Sequence, residues 1–259
     1  MDLQLTDKTA LVTGSTAGIG FAIAQSLSRE GARVIVNGRT QARVDAALAK
    51  LPAGALGLAA DLGTAAGVAA ATEQFPTVDI LINNLGIFEP KPFEAIPDED
   101  WFRFFEVNVM SGVRLSRYYL PRMKAAGWGR IVFVSSESGI QIPAEMIHYG
   151  VTKTAQLAVS RGLAETTAGS GVTVNSVLPG PTASEGVGEF VSRLAAHQGA
   201  TRDAVEREFF QTARPSSLLQ RFATPEEVAA LVTFVSSPLS SATNGAALRV
   251  DGGVVRSIV

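Results

Sequence analysis

Cysteine is absent from the 259-residue chain, and histidine occurs only twice, as His148 and His197. The lack of cysteine excludes disulfide bonds, thiolate metal ligands and cysteine nucleophiles, and it is consistent with a reducing compartment. The two histidines are far apart in the sequence, and no carboxylate–histidine spacing suggests a metal site. The sequence therefore predicts a protein that requires no metal.

Excess charge and long apolar runs are also missing. The formal net charge is -2, so the chain lacks the basic footprint of a nucleic-acid-binding protein. Its hydrophobic content of 46% is ordinary for a globular protein, and no apolar run is long enough to span a bilayer. The first residues, MDLQLTDK, carry acids where a signal peptide has bases. We therefore expect a cytoplasmic protein that binds neither a membrane nor a nucleic acid.

The sequence does contain a regular alternation of short β-branched runs and longer segments with helical period. It begins with KTALVT followed by GFAIAQSLSRE, and it ends with TPEEVAALVTFVSS followed by GAALRVDGG. The strands lack the polar alternation of a sheet with one solvated face. This pattern predicts an α/β fold with a doubly wound, parallel, seven-stranded sheet and helices on both faces. No linker divides the chain, so we expect residues 1–259 to form a single domain.

One segment interrupts this alternation. Residues 183–214 are polar and irregular, and they follow the sixth strand at the carboxyl edge of the sheet, where such folds bind ligands. We expect this segment to be a lid over the substrate site, with His197 as a solvated lid residue.

A glycine-rich turn, TGSTAGIG, lies between the first strand and the first helix. Glycines there permit a tight turn and a close backbone approach, and the helix behind them directs unpaired N–H groups and its positive dipole end towards a pyrophosphate. The alternative interpretation is an ordinary strand-to-helix turn. The predicted phosphate-binding residues are Gly14, Ser15, Thr16, Gly18, Ile19 and Gly20.

The end of the second strand, VIVNGRT, bears on the choice of dinucleotide. Sites that prefer NAD place an acid at this strand end for the adenosine 2'-hydroxyl, whereas a 2'-phosphate needs a cation. Gly38 stands in the place of the acid, and Arg39 follows it. A guanidinium can bind a phosphate through paired N–H donors, so the sequence predicts NADP(H) in preference to NAD(H). The alternative is a solvated surface arginine.

Reacting groups are suggested by the segment HYGVTK. Tyr149 and Lys153 are four residues apart, so they project from the same face of a helix. A free phenol has a pKa of about 10, and an ammonium about 4 Å away lowers it by up to about 3 units at an effective dielectric constant of about 20. The pair is therefore predicted to donate and accept a proton. The alternative is a surface pair without a chemical role.

Several motifs together resemble the short-chain dehydrogenase/reductase family in its single-domain form. They are the TG-x-x-x-G-x-G turn, the Y-x-x-x-K pair, and Ser136, which precedes Tyr149 by thirteen residues. The resemblance spans the chain as far as the closing RVDGG, and it implies a Rossmann-type fold. It also implies that Ser136 holds the substrate oxygen, and that Asn108 disturbs its helix and holds a water that connects Lys153 to solvent.

The resemblance carries over further cofactor contacts. It implies that Asp61 and Leu62 meet the adenine, and that Lys153 also binds the nicotinamide ribose. Two departures from the family pattern are Ala17, in a position where many NADP-preferring members have a basic residue, and Leu85, where the family usually has alanine. The remaining contacts that the resemblance implies are Asn83, Gly86, Tyr149, Pro179, Gly180 and Thr182.

The resemblance implies reversible hydride transfer between NADP(H) and a small carbonyl or secondary alcohol substrate. A 3-oxoacyl-[acyl-carrier-protein] reductase-like enzyme and a non-catalytic NAD(P)-binding sensor or scaffold are the alternatives. An enoyl reductase is disfavoured, because such enzymes separate tyrosine and lysine by six residues. We also expect a homo-oligomer, a tetramer or a dimer. Side chains expected to line the pocket are Ile87, Phe88, Glu137, Gln141, Ile142, Glu145, Met146, Phe190, Phe209 and Phe210, although the apolar ones also suit a core.

Overall fold

The computed structural model describes residues 1–184, 187–188, 192, 195 and 199–258. Seven strands form one sheet in the order β3-β2-β1-β4-β5-β6-β7, and every neighbouring pair is parallel. The predicted α/β fold is confirmed. The strands are β1 (Thr9–Val12), β2 (Arg33–Gly38), β3 (Leu56–Ala59), β4 (Ile80–Asn83), β5 (Gly129–Val134), β6 (Val172–Pro179) and β7 (Ala247–Val250).

Helices connect the strands and begin at recognisable capping signals. Threonine hydroxyls accept from the third helical N–H at four of them, and Thr224 forms a full capping box with Glu227. The helices are α1 (Gly18–Arg29), α2 (Gln41–Leu48), α3 (Ala65–Gln74), α4 (Asp98–Phe105), α5 (Ser111–Ala126), α6 (Ile147–Glu165), α7 (Arg202–Thr212) and α8 (Pro225–Val235). A π-helical turn, Glu106–Met110, joins α4 to α5.

The sheet is covered on both faces, as the lack of polar alternation predicted. Successive strand residues point to opposite faces, so Val12 joins an apolar cluster with α1 and α8, whereas Leu11 joins another with α3, α5 and α6. All six residues of β5 are buried. Burying a large aliphatic side chain contributes about 1.5–3 kcal/mol, so these clusters fix the strands from which the site is built.

The strand order reverses beside β1, which pairs with β2 on one side and with β4 on the other. A crevice forms at the carboxyl ends of strands at such a reversal, and ligands bind there. Asn84 closes the base of this crevice: its side-chain amide donates to the carbonyl oxygens of Thr13 at 2.9 Å and Gly14 at 3.1 Å. The turns after β1 and β4 are thereby joined. The sequence interpretation missed this role of Asn84.

At the opposite, amino-terminal edge of the sheet, Arg130 is 2% exposed. Its Nε donates to the Ser237 carbonyl oxygen at 3.2 Å, and its Nη1 donates to Gly129 at 2.8 Å and Gly171 at 3.1 Å. The guanidinium also lies over the Trp128 ring, 4.6 Å from its centre. Arg130 therefore ties β5 to the start of β6 and to the end of α8.

Of the predicted lid, the structure describes residues 183–184, 187–188, 192, 195 and 199–214, which include α7. Phe190 and His197 lie outside the described residues. No described helix has the length and apolarity needed to cross a membrane. Within the same ranges, no group of three or more histidine, aspartate or glutamate side chains is arranged to hold a metal ion.

Candidate active site

A cavity of about 660 Å³ opens at the carboxyl edge of the sheet. It brings together residues from the turns after β1, β4, β5 and β6 with residues of α6 and α7. Two of the predicted apolar pocket residues, Ile142 and Phe210, do not line the cavity. Phe210 is 2% exposed and packs against Phe222 instead. Gln141 also lies outside it. The predicted site and pocket residues that line it are Ile19, Gly86, Ile87, Phe88, Ser136, Glu137, Glu145, Met146, Tyr149, Lys153, Pro179, Gly180, Thr182 and Phe209.

The glycine-rich turn has the backbone that its sequence predicts. Gly14 and Gly18 have φ angles of +59° and +57°, in the left-handed region that favours glycine. A Cβ atom at Gly20 would lie 2.5 Å from both Asn84 Nδ2 and the Gly14 oxygen, so the close approach there needs glycine. Leu85, the departure from the family pattern, packs against Gly14 and the core rather than lining the cavity.

The turn also fits a dinucleotide phosphate. The N-terminus of α1 has no side-chain cap and no acidic residue in its first turn, so its N–H groups keep their capacity to bind an anion. Ser15 is not available for this purpose, because its hydroxyl donates to Val12 at 2.6 Å and accepts from the Asn37 N–H at 2.9 Å. Gly86 lies beside Lys153, which leaves room for a flat ligand at the lysine.

The packing at the end of β2 explains why position 38 is a glycine and not an acidic residue. A Cβ atom at Gly38 would lie 2.5 Å from Thr16 Cγ2, so a side chain at this position collides with the glycine-rich turn. Arg39 is exposed, and no hydrogen bond or ion pair joins it to another described residue. Its guanidinium is therefore available to an anion at this edge of the crevice.

Three of the predicted cofactor contacts have other structural roles. Asp61 is exposed, and its Oδ1 accepts from the Gly63 N–H at 3.0 Å. Leu62 is 1% exposed and packs in the core, so only its backbone can reach an adenine. Asn83 is buried, and its amide donates to Ser116 at 3.3 Å. These contacts stay predictions.

The segment after β6 is tightly held. A Cβ atom at Gly180 would lie 2.4 Å from the Asp251 carbonyl oxygen, so glycine is required there. The Thr182 hydroxyl donates to the Gly180 carbonyl oxygen at 2.9 Å. The predicted contact of this hydroxyl with a cofactor would therefore compete with an internal hydrogen bond.

Asn108 lies in the π-helical turn between α4 and α5. Its side chain accepts from the Ile87 N–H at 2.7 Å and donates to the Ile87 carbonyl oxygen and to Thr152 Oγ1, both at 3.0 Å. Its backbone carbonyl accepts from the Gln156 side-chain amide, and Gln156 Oε1 accepts from Lys153 Nζ at 3.3 Å. Gln156, which the sequence interpretation missed, thus connects Lys153 to Asn108 directly, and the predicted water path from Lys153 to solvent stays a prediction.

Tyr149 and Lys153 both face the cavity, as their spacing predicted. The Lys153 ammonium lies 5.6 Å from the centre of the Tyr149 ring, and it donates to the Val134 carbonyl oxygen at 3.0 Å and to Gln156. Ser135 has a structural role, since its hydroxyl donates to the Lys153 carbonyl oxygen at 2.9 Å. Strand β5 and helix α6 are joined by these bonds.

The electrostatics of Tyr149 differ from the prediction. Burial raises its pKa above the ordinary value, and the Glu137 carboxylate raises it further, while a hydrogen bond with Ser136 acts in the opposite direction. Burial also lowers the pKa of Lys153 to about 8. The prediction that Lys153 brings the pKa of Tyr149 near neutrality is wrong for this arrangement, because burial and, to a smaller extent, the Glu137 carboxylate raise this pKa, while the Lys153 ammonium bonds Val134 and Gln156. Tyr149 stays protonated at neutral pH.

His148 precedes Tyr149 but does not line the cavity. It is fully buried, and neither ring nitrogen has a hydrogen-bond partner among the described residues. Its ring packs 4.1 Å from the centre of the Phe104 ring and 6.1 Å from that of Trp101. Burial lowers the pKa of His148; Asp100 and Glu89 act to raise it, and Lys91 and Arg103 act to lower it.

We expect His148→Leu to make stability less sensitive to acid. Since the folded-state pKa of His148 is below that of the unfolded chain, the unfolded state binds more protons, and the free energy of unfolding falls as the pH drops below about 6.5. The His148→Leu variant should lose this pH dependence of the free energy of unfolding. Urea unfolding of both proteins between about pH 8 and pH 5 measures it, and parallel pH profiles would contradict the expectation.

Comparison with known proteins identifies the family of the chain. The family model described as short chain dehydrogenase matches residues 8–213. The chain belongs to this family of oxidoreductases. It is 52% identical to the uncharacterized oxidoreductase YvaG of Bacillus subtilis, and the match covers 100% of both chains. It is 36% identical to a D-beta-hydroxybutyrate dehydrogenase of Cupriavidus necator, and that match covers 97% of this chain and 99% of the relative. The crystal structure of L-sorbose reductase from Gluconobacter frateurii, complexed with NADPH and L-sorbose, superposes with a TM-score of 0.94 at 31% identity and covers 100% of both chains.

Proposed function

We propose that the protein transfers a hydride reversibly between NADP(H) and the carbonyl carbon of a small ketone, or the matching secondary alcohol. The observation that carries this proposal is the presence of Ser136, Tyr149 and Lys153 on the wall of one cavity, beside a turn that fits a dinucleotide phosphate. The NADPH in the L-sorbose reductase complex supports the choice of cofactor.

The chain's own residues handle the proton. When bound, the nicotinamide supplies or accepts the hydride. Ser136 orients the carbonyl oxygen, and the Tyr149 hydroxyl donates its proton to that oxygen as the new C–H bond forms. Because its pKa is above the ordinary value, Tyr149 holds its proton at neutral pH and is present as the acid that reduction needs. Lys153 lies beside Gly86, where it can bond the nicotinamide ribose.

A spectrophotometric screen of ketones and secondary alcohols with both nicotinamides tests the proposal. Substrate-dependent oxidation of NADPH supports it. Cofactor binding without turnover on any compound of a broad panel would contradict it and favour the sensor or scaffold instead. Thermal denaturation with and without NADPH shows in the same preparation whether the cofactor binds, since a bound ligand raises the melting temperature.

We expect Arg39→Ala to lower kcat/KM for NADPH by about tenfold or more and to leave the value for NADH within about twofold, because only the 2'-phosphate needs the guanidinium. Arg33→Ala is the matched control, since Arg33 is exposed at the other end of β2, about 20 Å away. Equal or better use of NADH by the unmodified protein would refute the proposed preference.

The proposal extends to the organisation of the protein. We propose that residues 1–259 form one catalytic domain, with residues 183–214 as a lid over the substrate site. Phe209 and Arg214 support this role, because both line the cavity from α7 and the segment after it. We also propose that the protein is a homo-oligomer, either a dimer or a tetramer. We further propose that it is located in the cytoplasm. Sedimentation of the purified protein measures the oligomeric state.

A further inference from the structure

An ion network of Glu137, Arg214 and Glu145, exposed only at Glu145, lines the cavity beside the proposed reacting groups. Arg214 follows α7, and its Nε donates to Glu137 Oε1 at 3.1 Å while its Nη1 donates to Glu145 Oε1 at 3.0 Å. Glu137 and Arg214 are only 4% and 7% exposed, and all three side chains line the cavity. Burial acts to lower the pKa of Arg214, but the two carboxylates outweigh it and leave the pKa raised.

The network is joined directly to Ser136. The Ser136 hydroxyl donates to Glu137 Oε2, which also accepts from the Ser138 N–H at 2.8 Å. A carboxylate therefore lies one hydrogen bond away from the side chain that is proposed to hold the substrate oxygen, and Ser136 must turn its hydroxyl proton from Glu137 to that oxygen when a substrate binds. A substrate whose carbonyl oxygen binds at Ser136 therefore brings one of its two flanking carbons towards this carboxylate and the guanidinium bonded to it.

The charge of the network is unfavourable for an anion. One guanidinium faces two carboxylates, and Glu208 adds a third carboxylate to the cavity wall, against which Lys153 adds one further cation. Arg214 is already paired, so a substrate carboxylate gains little from it and is repelled by Glu137. A hydroxyl group is both donor and acceptor, so it can donate to the carboxylate and accept from the guanidinium.

We propose that Glu137 and Arg214 form a substrate-selecting site that accepts an uncharged carbonyl compound carrying a hydroxyl on the carbon next to the carbonyl, and rejects a carboxylate there. This inference rests on the proposed hydride transfer. It assigns the substrate class of hydroxyketones, while the apolar walls formed by Phe88, Met146 and Phe209 bound the rest of the molecule.

Hydroxyacetone, acetone and pyruvate test the site, because they differ only in the group next to a central carbonyl. With NADPH, we expect kcat/KM to be about tenfold or more higher for hydroxyacetone than for acetone, and lowest for pyruvate. Glu137→Gln removes the charge at nearly constant shape, and it should raise the pyruvate-to-hydroxyacetone ratio of kcat/KM by about tenfold. Arg214→Met leaves Glu137 unneutralised, and it should lower the same ratio.

A merely structural role would reduce all three activities in parallel, so the ratio separates selection from loss of folding. Glu165→Gln breaks an exposed pair with Arg161 and is the control, with unchanged ratios expected. An unchanged ratio in Glu137→Gln, or a preference of the unmodified protein for pyruvate, overturns the inference. Inactivity on all three compounds together with activity on other ketones also overturns it, whereas inactivity on every compound of the broad screen overturns the proposed function itself.

Discussion

Replacing Tyr149 by phenylalanine should reduce kcat/KM for carbonyl reduction by about a thousandfold. The substitution removes only the hydroxyl that donates the proton, and general acid catalysis contributes about 100- to 10000-fold. The phenyl ring that remains keeps the packing with Phe88, whose ring centre lies 6.4 Å from that of Tyr149. Steady-state kinetics with NADPH measures the loss, and a fluorescence titration should show that cofactor affinity changes by less than about threefold.

Tyr118→Phe provides the matched control. Tyr118 also lies on a helix, but its hydroxyl donates to the Thr72 carbonyl oxygen at 3.2 Å, away from the cavity. We expect this variant to lose about 1 kcal/mol of stability and no activity. A Tyr149→Phe enzyme with more than about a tenth of the original kcat/KM would show that another group donates the proton.

The largest effect on stability is expected for Arg130→Met, with a loss of about 3–5 kcal/mol. The change leaves the carbonyl oxygens of Ser237 and Gly129 without their charged donor in a buried position, while the methionine still covers Trp128. Burial lowers the pKa of Arg130 to about 10, so the guanidinium stays charged at neutral pH. Urea unfolding followed by circular dichroism measures the loss.

Arg161→Met is the control for this prediction. Arg161 pairs with Glu165 on the exposed face of α6, and an exposed pair contributes about 0–1 kcal/mol. Because Arg130 lies at the amino-terminal edge of the sheet, the kcat of folded Arg130→Met should remain within about twofold of the original value. Equal stability of the Arg130 and Arg161 variants would contradict the role assigned to Arg130.

The fold was predictable because its signals are local. Continuous apolar runs such as IVFV in β5 indicate a strand covered on both faces, and the glycines of the first turn mark positions where the backbone has positive φ. The reacting residues were predictable for a similar reason, since Tyr149 and Lys153 lie one helical turn apart. Their common exposure to one cavity follows from the helix that carries both.

The electrostatics of the site were not predictable from local spacing. The pKa of Tyr149 depends on burial and on the Glu137 carboxylate. That carboxylate is held by a hydrogen bond from Arg214, which is 77 residues further along the chain. Gln156 was missed because a glutamine on an amphipathic helix is ordinarily solvated, and only its 2% exposure in the structure reveals its contact with Lys153. Contacts between residues so far apart in the chain are determined by tertiary packing, and the periodicity of the sequence does not reveal them.

The crowding between Gly38 and Thr16 constrains how this enzyme lineage could acquire a different dinucleotide. An aspartate at position 38 would meet the Thr16 methyl before it reached a ribose. A side chain at position 38 therefore requires the Thr16 side chain to move or to be shortened, and Val44 Cγ2, 3.3 Å from the same Cβ position, must also shift slightly. The side chain that position 38 can hold thus depends on the size of the residue at position 16.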